Sequence, residues 1–343
     1  MVGIGILGCG TIGPLHAEAI ASIPGARLVA VADERPERAE ELARKAGGDV
    51  VARRDLAGLL AVPGVDLVCV CTPSGTHGEL GCAIARAGRH VVLEKPIDTD
   101  PGAADRVVAE AARAGVVLSV IAQHRFDDGL VRLHRALATG ELGEIVLGEG
   151  RAWWYRTQEY YDADAWRGTW ALDGGALTNQ GVHLVDLLCW LLGPVESVFA
   201  RSRTAAHVME AEDLLVASLR FASGALGALT VTTASFPGAP ETIAVAGPEA
   251  SVLVESGRVV SWRRAGDEPG AGGPDPAAPA VASAARGSRG LAVDAHRAQL
   301  RDVVDAVREG RRPAVTGEDG RAALGVIAAA YASARSGGDV AVD

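Results

Sequence analysis

Three closely spaced glycines constrain the fold of this chain more than any other feature. Gly8, Gly10 and Gly13 follow Val2–Leu7, a short apolar segment typical of a buried β-strand. Glycine at these positions lets the backbone turn tightly, approach a pyrophosphate and pack a helix on the strand, while helix N–H groups hold the negative charge. The pattern predicts a Rossmann unit that binds a dinucleotide. Its predicted contacts are Gly8, Gly10, Thr11, Ile12 and Gly13.

An acidic residue ends the second predicted strand. Asp33 stands 20 residues after Gly13 and directly follows Arg27–Ala32. A carboxylate at this place can bind both hydroxyls of the adenosine ribose, and it repels the additional phosphate of NADP. The sequence therefore predicts NAD as the cofactor, in strong preference to NADP.

The rest of the chain has two different patterns. Residues 1–122 alternate short apolar strands with alanine- and charge-rich helices, which predicts an α/β domain with a parallel sheet covered on both faces. Residues 123–343 have longer strand candidates, with hairpin turns expected at Ser223-Gly224 and Ser256-Gly257, which predicts an α+β domain with a large, mainly antiparallel open sheet. Within it, the Gly- and Pro-rich segment 266–290 is predicted to be a mobile loop. The predicted strands of the first domain are Val2–Leu7, Arg27–Ala32, Asp49–Val51, Leu67–Val70, His90–Leu93 and Val116–Ile121.

Composition excludes several classes of protein. The formal net charge is −10, whereas nucleic-acid binding needs clustered Lys and Arg. The longest apolar stretch, Leu177 to Val195, contains Asn179, Gln180, His183 and Asp186 and predicts a buried helix over Leu177–Leu192 instead of a membrane span. Cys69-x-Cys71 lies in a strand-like run, so burial is favoured over zinc. We expect a cytoplasmic protein with no metal, no nucleic-acid partner and no membrane association.

A second group of cofactor contacts is predicted after the fourth strand. Cys71, Thr72 and Pro73 stand at the carboxyl end of Leu67–Val70. In open parallel sheets, ligands bind at the carboxyl ends of the strands, where the strand order reverses.

Several motifs together resemble the Gfo/Idh/MocA family of oxidoreductases over nearly the whole chain. The resemblance implies an NAD-dependent enzyme with NAD binding in 1–122, substrate binding in 123–343, and a homo-oligomer (dimer or tetramer) formed through the C-terminal sheet. It also adds His77, Glu94, Lys95 and Gln123 to the expected cofactor contacts. The motifs are Gly8–Gly13, Thr72-Pro73 with Thr76-His77, Glu94-Lys95-Pro96, Gly174-Gly175, Gly181-Val182-His183-x-x-Asp186, and Glu309-Gly310-Arg311-Arg312-Pro313.

The same resemblance implies that Lys95 and His183 are catalytic. In the family the lysine is an acid/base, often followed by a cis proline, and the histidine faces the substrate and relays the proton. A lysine beside a cationic nicotinamide in a partly dry cleft is driven towards its neutral form, which can accept a proton. Asp186 has a structural and a functional interpretation of equal weight.

Asn179 departs from the family pattern, because many members carry an aspartate there. Its amide can hydrogen-bond a sugar hydroxyl but cannot take a proton. The run from Gln158 to Gln180 resembles the UDP-N-acetylglucosaminuronate 3-dehydrogenase branch, which oxidises C3 of a nucleotide-linked sugar. Arg156 and Arg167 are then expected to hold a carboxylate or diphosphate. Alternatively, this aromatic segment packs against a neighbouring subunit.

Three other functions stay open at this stage. The substrate is alternatively an inositol or a free sugar. The same fold also serves NAD-dependent glycoside hydrolases, which a test for glycoside cleavage without net NADH production would identify. It serves non-enzymatic, cofactor-sensing regulators as well, although the presence of both Lys95 and His183 argues against that role.

Overall fold

A computed structural model describes residues 1–268, 273 and 288–343, with side chains described for all of these except 288–292. The strands are β1 Val2–Leu7, β2 Ala26–Ala32, β3 Val51–Arg53, β4 Leu67–Val70, β5 His90–Leu93, β6 Leu118–Val120, β7 Leu147–Trp153, β8 Val195–Arg203, β9 Leu214–Phe221, β10 Leu226–Thr232, β11 Thr242–Ala246, β12 Ala250–Glu255, β13 Arg258–Arg264 and β14 Val340–Ala341. The α-helices are α1 Gly13–Ile20, α2 Pro36–Ala46, α3 Leu56–Leu60, α4 His77–Arg86, α5 Pro101–Ala114, α6 Asp128–Ala138, α7 Gln158–Asp162, α8 Val182–Leu192, α9 Ser288–Glu309 and α10 Gly317–Ser336.

The described residues form two compact units. The first contains residues 1–123 together with 288–321, and the second contains 124–268, 273 and 322–343. The sequence predicts one boundary after residue 122, whereas the structure returns α9 and the first residues of α10 to the first unit. An amphipathic helix pattern reports that one face is buried but does not report which sheet covers it.

The first unit is built on a six-stranded parallel sheet in the order β3-β2-β1-β4-β5-β6. This order reverses direction between β1 and β4, as in a doubly wound dinucleotide-binding fold. Strands β1, β4 and β6 are buried throughout, because helices cover both faces of the sheet. The predicted α/β Rossmann fold is confirmed, and the predicted bounds of β1, β4 and β5 agree with the structure.

Helix ends in this unit follow local chemistry. The Asp100 carboxylate accepts hydrogen bonds from the backbone of Gly102 and Ala103 at the start of α5, and Pro101 occupies the first turn. The helix ends at Gly115, which has a φ of 67° and adopts the left-handed conformation that glycine tolerates. The third strand lies two residues later than the predicted Asp49–Val51. It is a three-residue edge strand without a fully buried side chain, so its apolar signal is weak.

The second unit is built on an eight-stranded sheet in the order β13-β12-β11-β7-β10-β9-β8-β14. All neighbouring pairs are antiparallel except β7 and β10, which run parallel. The mainly antiparallel sheet is therefore confirmed. Strands β8, β9 and β10 alternate buried and exposed residues, and helix α8 packs on β7. One face of this sheet thus joins the core, which includes Leu184, Leu188 and Phe221.

The predicted helix Leu177–Leu192 has two parts. Its first turn, Leu177–Gly181, is a π-helix, and α8 continues from Val182. Such π turns occur frequently at functional sites, and here the turn carries Asn179. Most of the predicted loop 266–290 lies outside the described residues, but its last residues already belong to α9.

The burial expected for Cys69 and Cys71 agrees with the structure. The five cysteines, which all lie in the described part of the chain, form no disulfide with one another. Cys69 and Cys71 are buried, and burial, together with the nearby Glu94 charge, raises the pKa of both thiols. Among the described residues, we find no helix with the length and apolar character needed to cross a membrane.

Candidate active site

The glycine loop of the first unit has the geometry that a dinucleotide pyrophosphate requires. Gly8 has a φ of 97°, and a Cβ there would lie 2.5 Å from the Cys71 carbonyl oxygen. A Cβ on Gly13 would lie 2.3 Å from the Gly8 carbonyl oxygen, so the third glycine permits close packing of helix and loop. At Gly10 the nearest atom would be 3.9 Å away, which leaves open space beside the backbone. The loop therefore fits an NAD pyrophosphate, with exposed Thr11 and half-buried Ile12 at the start of α1.

Asp33 lies at the end of β2 with its carboxylate fixed by the backbone. Its Oδ2 accepts a hydrogen bond from Cys9 N–H (2.7 Å) and its Oδ1 accepts one from Arg35 N–H (2.9 Å). Each oxygen retains a second lone pair, so these bonds orient the carboxylate without exhausting its capacity to accept ribose hydroxyls. Burial and the neighbouring Asp33 charge raise the pKa of Cys9 to about 12, so this thiol is neutral.

The second predicted strip of contacts forms a compact turn after β4. The Thr72 hydroxyl lies 2.7 Å from that of Thr76, which donates to the Pro73 carbonyl. His77 is buried, with Nδ1 2.8 Å from the Pro96 carbonyl oxygen and Nε2 2.9 Å from that of Thr72. Both of its nitrogens thus bind the protein backbone, and the histidine links this turn to the loop that carries Lys95. A direct cofactor contact by its side chain stays a prediction.

Lys95 follows β5, and its bond to Pro96 is cis, as the resemblance implied. The preceding Glu94 is buried, and its Oε2 accepts a hydrogen bond from Lys95 N–H (3.1 Å). Its Oε1 lies 2.7 Å from His16 Nε2. Both oxygens of the Glu94 carboxylate therefore contact protein groups. Its cofactor contact stays a prediction. Gln123, at the carboxyl end of the same sheet after β6, is also buried.

In the second unit, His183 contacts another histidine, His124, which no sequence motif indicates. The rings of His183 and His124 are in edge-to-face contact, with centroids 4.9 Å apart. His124 Nδ1 lies 2.7 Å from Asp127 Oδ2, and Nε2 lies 3.7 Å from Glu241 Oε1. Burial lowers the pKa of His124, but the hydrogen bond to Asp127 and the nearby carboxylates outweigh it, and the net direction is upward. His183 therefore stands beside a histidine whose pKa is raised by neighbouring carboxylates.

Asp186 has a structural partner. Its carboxylate binds the Arg125 guanidinium in a two-pronged, buried ion pair, with distances of 2.6 and 2.9 Å. The planar geometry suits an arginine and fixes α8 against the segment after β6. The structural interpretation of Asp186 therefore has direct support.

Asn179 belongs to a polar network that begins at Asp173. The Asn179 amide donates a very short hydrogen bond to Asp173 Oδ1, and Asp173 Oδ2 accepts from Gly168 N–H at 2.7 Å. Asp173, which is 2% exposed, thus connects the aromatic segment to the π turn. An aspartate before two glycines was visible in the sequence, but its partner was not.

A second buried acid supports the same turn. Glu212 Oε1 accepts hydrogen bonds from Leu177 N–H (2.8 Å) and from the Tyr331 hydroxyl (3.1 Å). Burial raises the pKa of Glu212 to about 7, although these hydrogen bonds oppose the shift. A Cβ on Gly175 would lie 1.4 Å from Glu212 Oε2, so only glycine fits there.

Arg156 and Arg167 pack against one aromatic ring. The Arg167 guanidinium lies 4.3 Å from the centroid of Tyr160, and the Arg156 guanidinium lies 5.3 Å from it. Both Nε atoms are buried, and neither has a hydrogen-bond partner among the described residues. Asp164 Oδ2 lies 3.5 Å from Arg167 Nε, at ion-pair distance.

Known proteins resemble the chain over both units. The oxidoreductase family with an NAD-binding Rossmann fold, Gfo/Idh/MocA, matches residues 2–122, and the Gfo/Idh/MocA C-terminal domain matches 130–253. A myo-inositol 2-dehydrogenase of Thermotoga maritima is 31% identical over 335 residues, which cover 94% of this chain and 92% of the relative. An inositol 2-dehydrogenase of Rhizobium meliloti is 30% identical over 267 residues, 76% of this chain and 77% of the relative.

A solved structure is similar over the full length. The WlbA dehydrogenase of Bordetella pertussis, in complex with NADH and UDP-GlcNAcA, is 34% identical and has a TM-score of 0.89, with 100% of this chain and 98% of that chain covered. Two family matches that together span most of the chain, and a relative above 30% identity over most of both lengths, agree with the glycine loop and strand order. The chain therefore belongs to the Gfo/Idh/MocA family of oxidoreductases and binds NAD through its Rossmann unit.

Proposed function

We propose that this protein oxidises a secondary hydroxyl of a nucleotide-linked sugar with NAD⁺, and that the C3 hydroxyl is the one that reacts. The observation that carries the proposal is the pair of arginines on the Tyr160 ring. The arginines are Arg156 and Arg167, whose buried Nε–H donors have no hydrogen-bond partner among the described residues.

Two guanidinium groups held in this way suit an anionic substrate. A buried donor without a partner is costly, and a carboxylate or diphosphate can accept from two guanidinium donors at once. The ring contact limits the motion of both side chains, so less conformational entropy is lost when an anion binds. A neutral polyol offers no charge to pair with these cations. The WlbA structure, whose bound ligand is UDP-GlcNAcA, supports the same substrate class.

The amine of Lys95 is the group that we propose removes the hydroxyl proton. The chain contains 33 Lys and Arg residues, and only Lys45 and Lys95 are lysines. Arginine therefore supplies nearly every cation of this protein, but a guanidinium cannot be deprotonated and cannot serve as a base. A lysine at position 95 in such a composition favours a role that needs a neutral amine.

In the proposed reaction, NAD⁺ would, when bound, supply the acceptor for the hydride that leaves the carbinol carbon. Lys95 takes the proton from the reacting hydroxyl. His183 binds the substrate and passes hydrogen bonds, and its ring is in contact with that of His124. Asn179, oriented by Asp173, binds a sugar hydroxyl and takes no proton.

An inositol or other polyol dehydrogenase is the second candidate. The Thermotoga maritima relative is named a myo-inositol 2-dehydrogenase and aligns over 94% of this chain. An inositol ring carries secondary hydroxyls, and Lys95 would accept the proton from one of them in the same way. The two candidates differ in the expected role of Arg156 and Arg167, which only the anionic substrate needs.

We further propose a homo-oligomer, a dimer or tetramer, formed through the exposed face of the second sheet. This face presents large apolar side chains that alternate with core residues along the strands. They are Leu147, Trp153, Phe199, Val216 and Leu226. Large apolar side chains that are exposed on one face of a sheet favour a protein–protein interface. Sedimentation of the purified protein tests the proposal, and a monomer at micromolar concentration would contradict it.

The substrate proposal is tested by following NADH absorbance with UDP-GlcNAcA, the free sugar acid and myo-inositol. We expect UDP-GlcNAcA to react far better, because binding energy from the diphosphate orients the reacting hydroxyl. Arg167→Ala should lower kcat/KM for it by about 2 kcal/mol, the order of a lost charge-assisted contact, and should leave NAD affinity unchanged.

The matched control is Arg132→Ala, which removes an arginine that packs on Trp262 at 4.4 Å and is not part of the proposed site. We expect it to retain kcat/KM. If Arg167→Ala instead changes the sedimentation of the oligomer and myo-inositol reacts as well as the nucleotide sugar, the polyol candidate replaces this proposal.

A further inference from the structure

Three buried side chains of the first unit meet around one carboxylate oxygen. Glu94 Oε1 lies 2.7 Å from His16 Nε2 and 3.6 Å from His296 Nε2. The two imidazole rings are in edge-to-face contact, with centroids 5.5 Å apart. His16 is fully buried, and the side chains of Glu94 and His296 are 7% and 5% exposed. The dehydrogenation proposed above assigns no role to either histidine.

The same carboxylate reaches the residue that we propose as the base. Glu94 Oε2 accepts the hydrogen bond from Lys95 N–H. His16 belongs to α1, the helix that begins at the third glycine of the cofactor loop, and His296 belongs to α9 near the end of the chain. One carboxylate therefore connects the glycine-loop helix, a C-terminal helix and the backbone of Lys95.

Helix α9 also contacts the carboxyl end of β6, the strand that neighbours β5. Gln299, three residues after His296 and on the same side of the helix, accepts from Ala122 N–H (2.9 Å) and donates to the Val120 carbonyl (2.8 Å). The two side chains thus contact the carboxyl ends of β5 and β6. This is a specific use for the helix that the structure returns to the first unit.

The two histidines stabilise the charged form of Glu94. Burial alone raises the pKa of Glu94, but the hydrogen bonds and charges of His16 and His296 reverse this and hold it well below its usual range. A buried carboxylate is stable only while its donors stay in place. The two histidines therefore keep Glu94 ionised and fixed, and Glu94 in turn fixes the backbone at Lys95.

The set also contains the donors of a metal site, but its spacing favours a hydrogen bond. Two ligands on one tetrahedral zinc, each about 2.0–2.1 Å from the ion, lie about 3.3 Å apart. The 2.7 Å between His16 Nε2 and Glu94 Oε1 is instead the length of a charge-assisted hydrogen bond.

We propose that His16 and His296 are positioning residues for Lys95. Through Glu94 they hold the Lys95 backbone in register with the glycine-loop helix, so that the amine is placed for proton transfer. The inference rests on the proposed role of Lys95 as the base.

The central test compares His296→Leu with His296→Gln, because a glutamine amide can still donate to Glu94 while a leucine cannot. We expect His296→Leu to lower kcat roughly tenfold with little change in KM or in NAD affinity, since misplacement of a reacting group slows the chemical step. His296→Gln should restore most of kcat. His90→Gln is the matched control, because His90 is a half-buried histidine of β5 whose Nδ1 accepts from Val117 N–H, away from Glu94, and it should behave as wild type.

A second readout needs no substrate. Acetic anhydride acetylates neutral amines, and mass spectrometry of the NAD-bound protein gives the ratio of acetylated Lys95 to acetylated Lys45, the exposed lysine of α2 that serves as internal reference. We expect this ratio to change by roughly threefold or more in His296→Leu and in His16→Leu, and to stay near the wild-type ratio in His296→Gln.

Three results would overturn the inference. The first is a His296→Leu enzyme with wild-type kcat and acetylation ratio. The second is a loss of kcat that follows thermal stability alone and is equal in the Leu and Gln variants, which indicates a purely structural contact. The third is one equivalent of zinc in the purified protein that is lost in His16→Leu. Lys95→Met separates this inference from the proposed function, because full turnover in that variant refutes the base assignment whatever the histidine variants do.

Discussion

The cofactor loop of the first unit and the polar groups of the second unit differ in how far along the chain they lie from the residues that hold them. In the first unit the cofactor loop is one continuous segment, and Gly8 contacts residues that directly follow a neighbouring strand. In the second unit the polar groups are held by partners far away in sequence, as in Arg125 with Asp186 and Tyr331 with Glu212, which are 61 and 119 residues apart. Backbone geometry can be read from local sequence, whereas a polar network depends on the complete fold.

This difference predicts that substitutions in the first unit change the rate of the chemical step or the affinity for the cofactor. The effect should be the same whichever substrate is used. Lys95→Met should lower kcat by roughly a thousandfold or more, because a general base contributes about 10²–10⁴ to the rate. NAD affinity, measured by fluorescence titration, should change little, since the glycine loop and Asp33 remain. Lys45→Met, which replaces the other lysine, should retain full activity. Near-normal turnover in Lys95→Met would show that Lys95 is not the base.

In the second unit, by contrast, the free energy of unfolding should depend on pH because Glu212 is a buried acid. Because the pKa of Glu212 is raised to about 7, the folded state binds a proton that the unfolded state releases above its ordinary pKa of 4.5. Its stabilising effect is fully present below about 4.5 and is lost as pH rises through about 7. Glu212→Gln mimics the neutral acid and should remove this pH dependence, a difference on the order of 3 kcal/mol.

Chemical denaturation at pH 5 and pH 8 measures the effect. Glu196→Gln, on the exposed side of β8, is the control and should retain the wild-type slope. If the Glu212→Gln protein loses as much stability between the two pH values as the wild type does, the carboxyl is not protonated in the folded state.

Elements that local sequence specifies could be predicted, whereas elements that depend on distant contacts could not. The bounds of β1, β4 and β5 agree because each is a short, largely apolar segment next to a glycine or a charged turn. The cis bond at Lys95 was implied by the family resemblance, and the structure confirms it. The return of α9 to the first unit could not be predicted, because no local feature specifies which sheet the helix covers.

Several polar residues of the candidate site cannot be recognised from the sequence, because their contacts form only in the folded unit. His124 stands one residue after Gln123, in a position where strand ends carry functional groups, but its contact with His183 exists only in the folded unit. Asp173 and Glu212 were ordinary acidic residues in the sequence, and their burial beside the π turn is what makes them unusual. Polar residues at such positions become recognisable only when their partners are known.

His183→Ala measures how much the second unit contributes to the chemistry. We expect kcat to fall by roughly a hundredfold, as for a group that transfers or shares a proton. The cofactor should bind normally, because NAD contacts are predicted in the first unit. His134→Ala removes a histidine that stacks on Trp190 at 4.0 Å and serves as the comparison. An unchanged kcat in His183→Ala would assign all of the chemistry to the first unit.

The smallest expected effect concerns Asp33. Its two carboxylate oxygens accept from Cys9 and Arg35 N–H groups, so Asp33→Asn keeps one acceptor and the shape of the side chain but loses the charge. We expect NAD affinity to fall by roughly tenfold, the order of one hydrogen bond to a charged group. NADP affinity should stay equal or rise, because the repulsion of its additional phosphate is removed. Glu34→Gln, at the neighbouring acidic position, separates a general change of charge from the specific contact and should have less effect. Titration of both cofactors into the three proteins decides the matter. Equal binding of NADP and NAD by the wild type would show that the carboxylate does not face the ribose, even though the glycine loop beside it has the expected geometry.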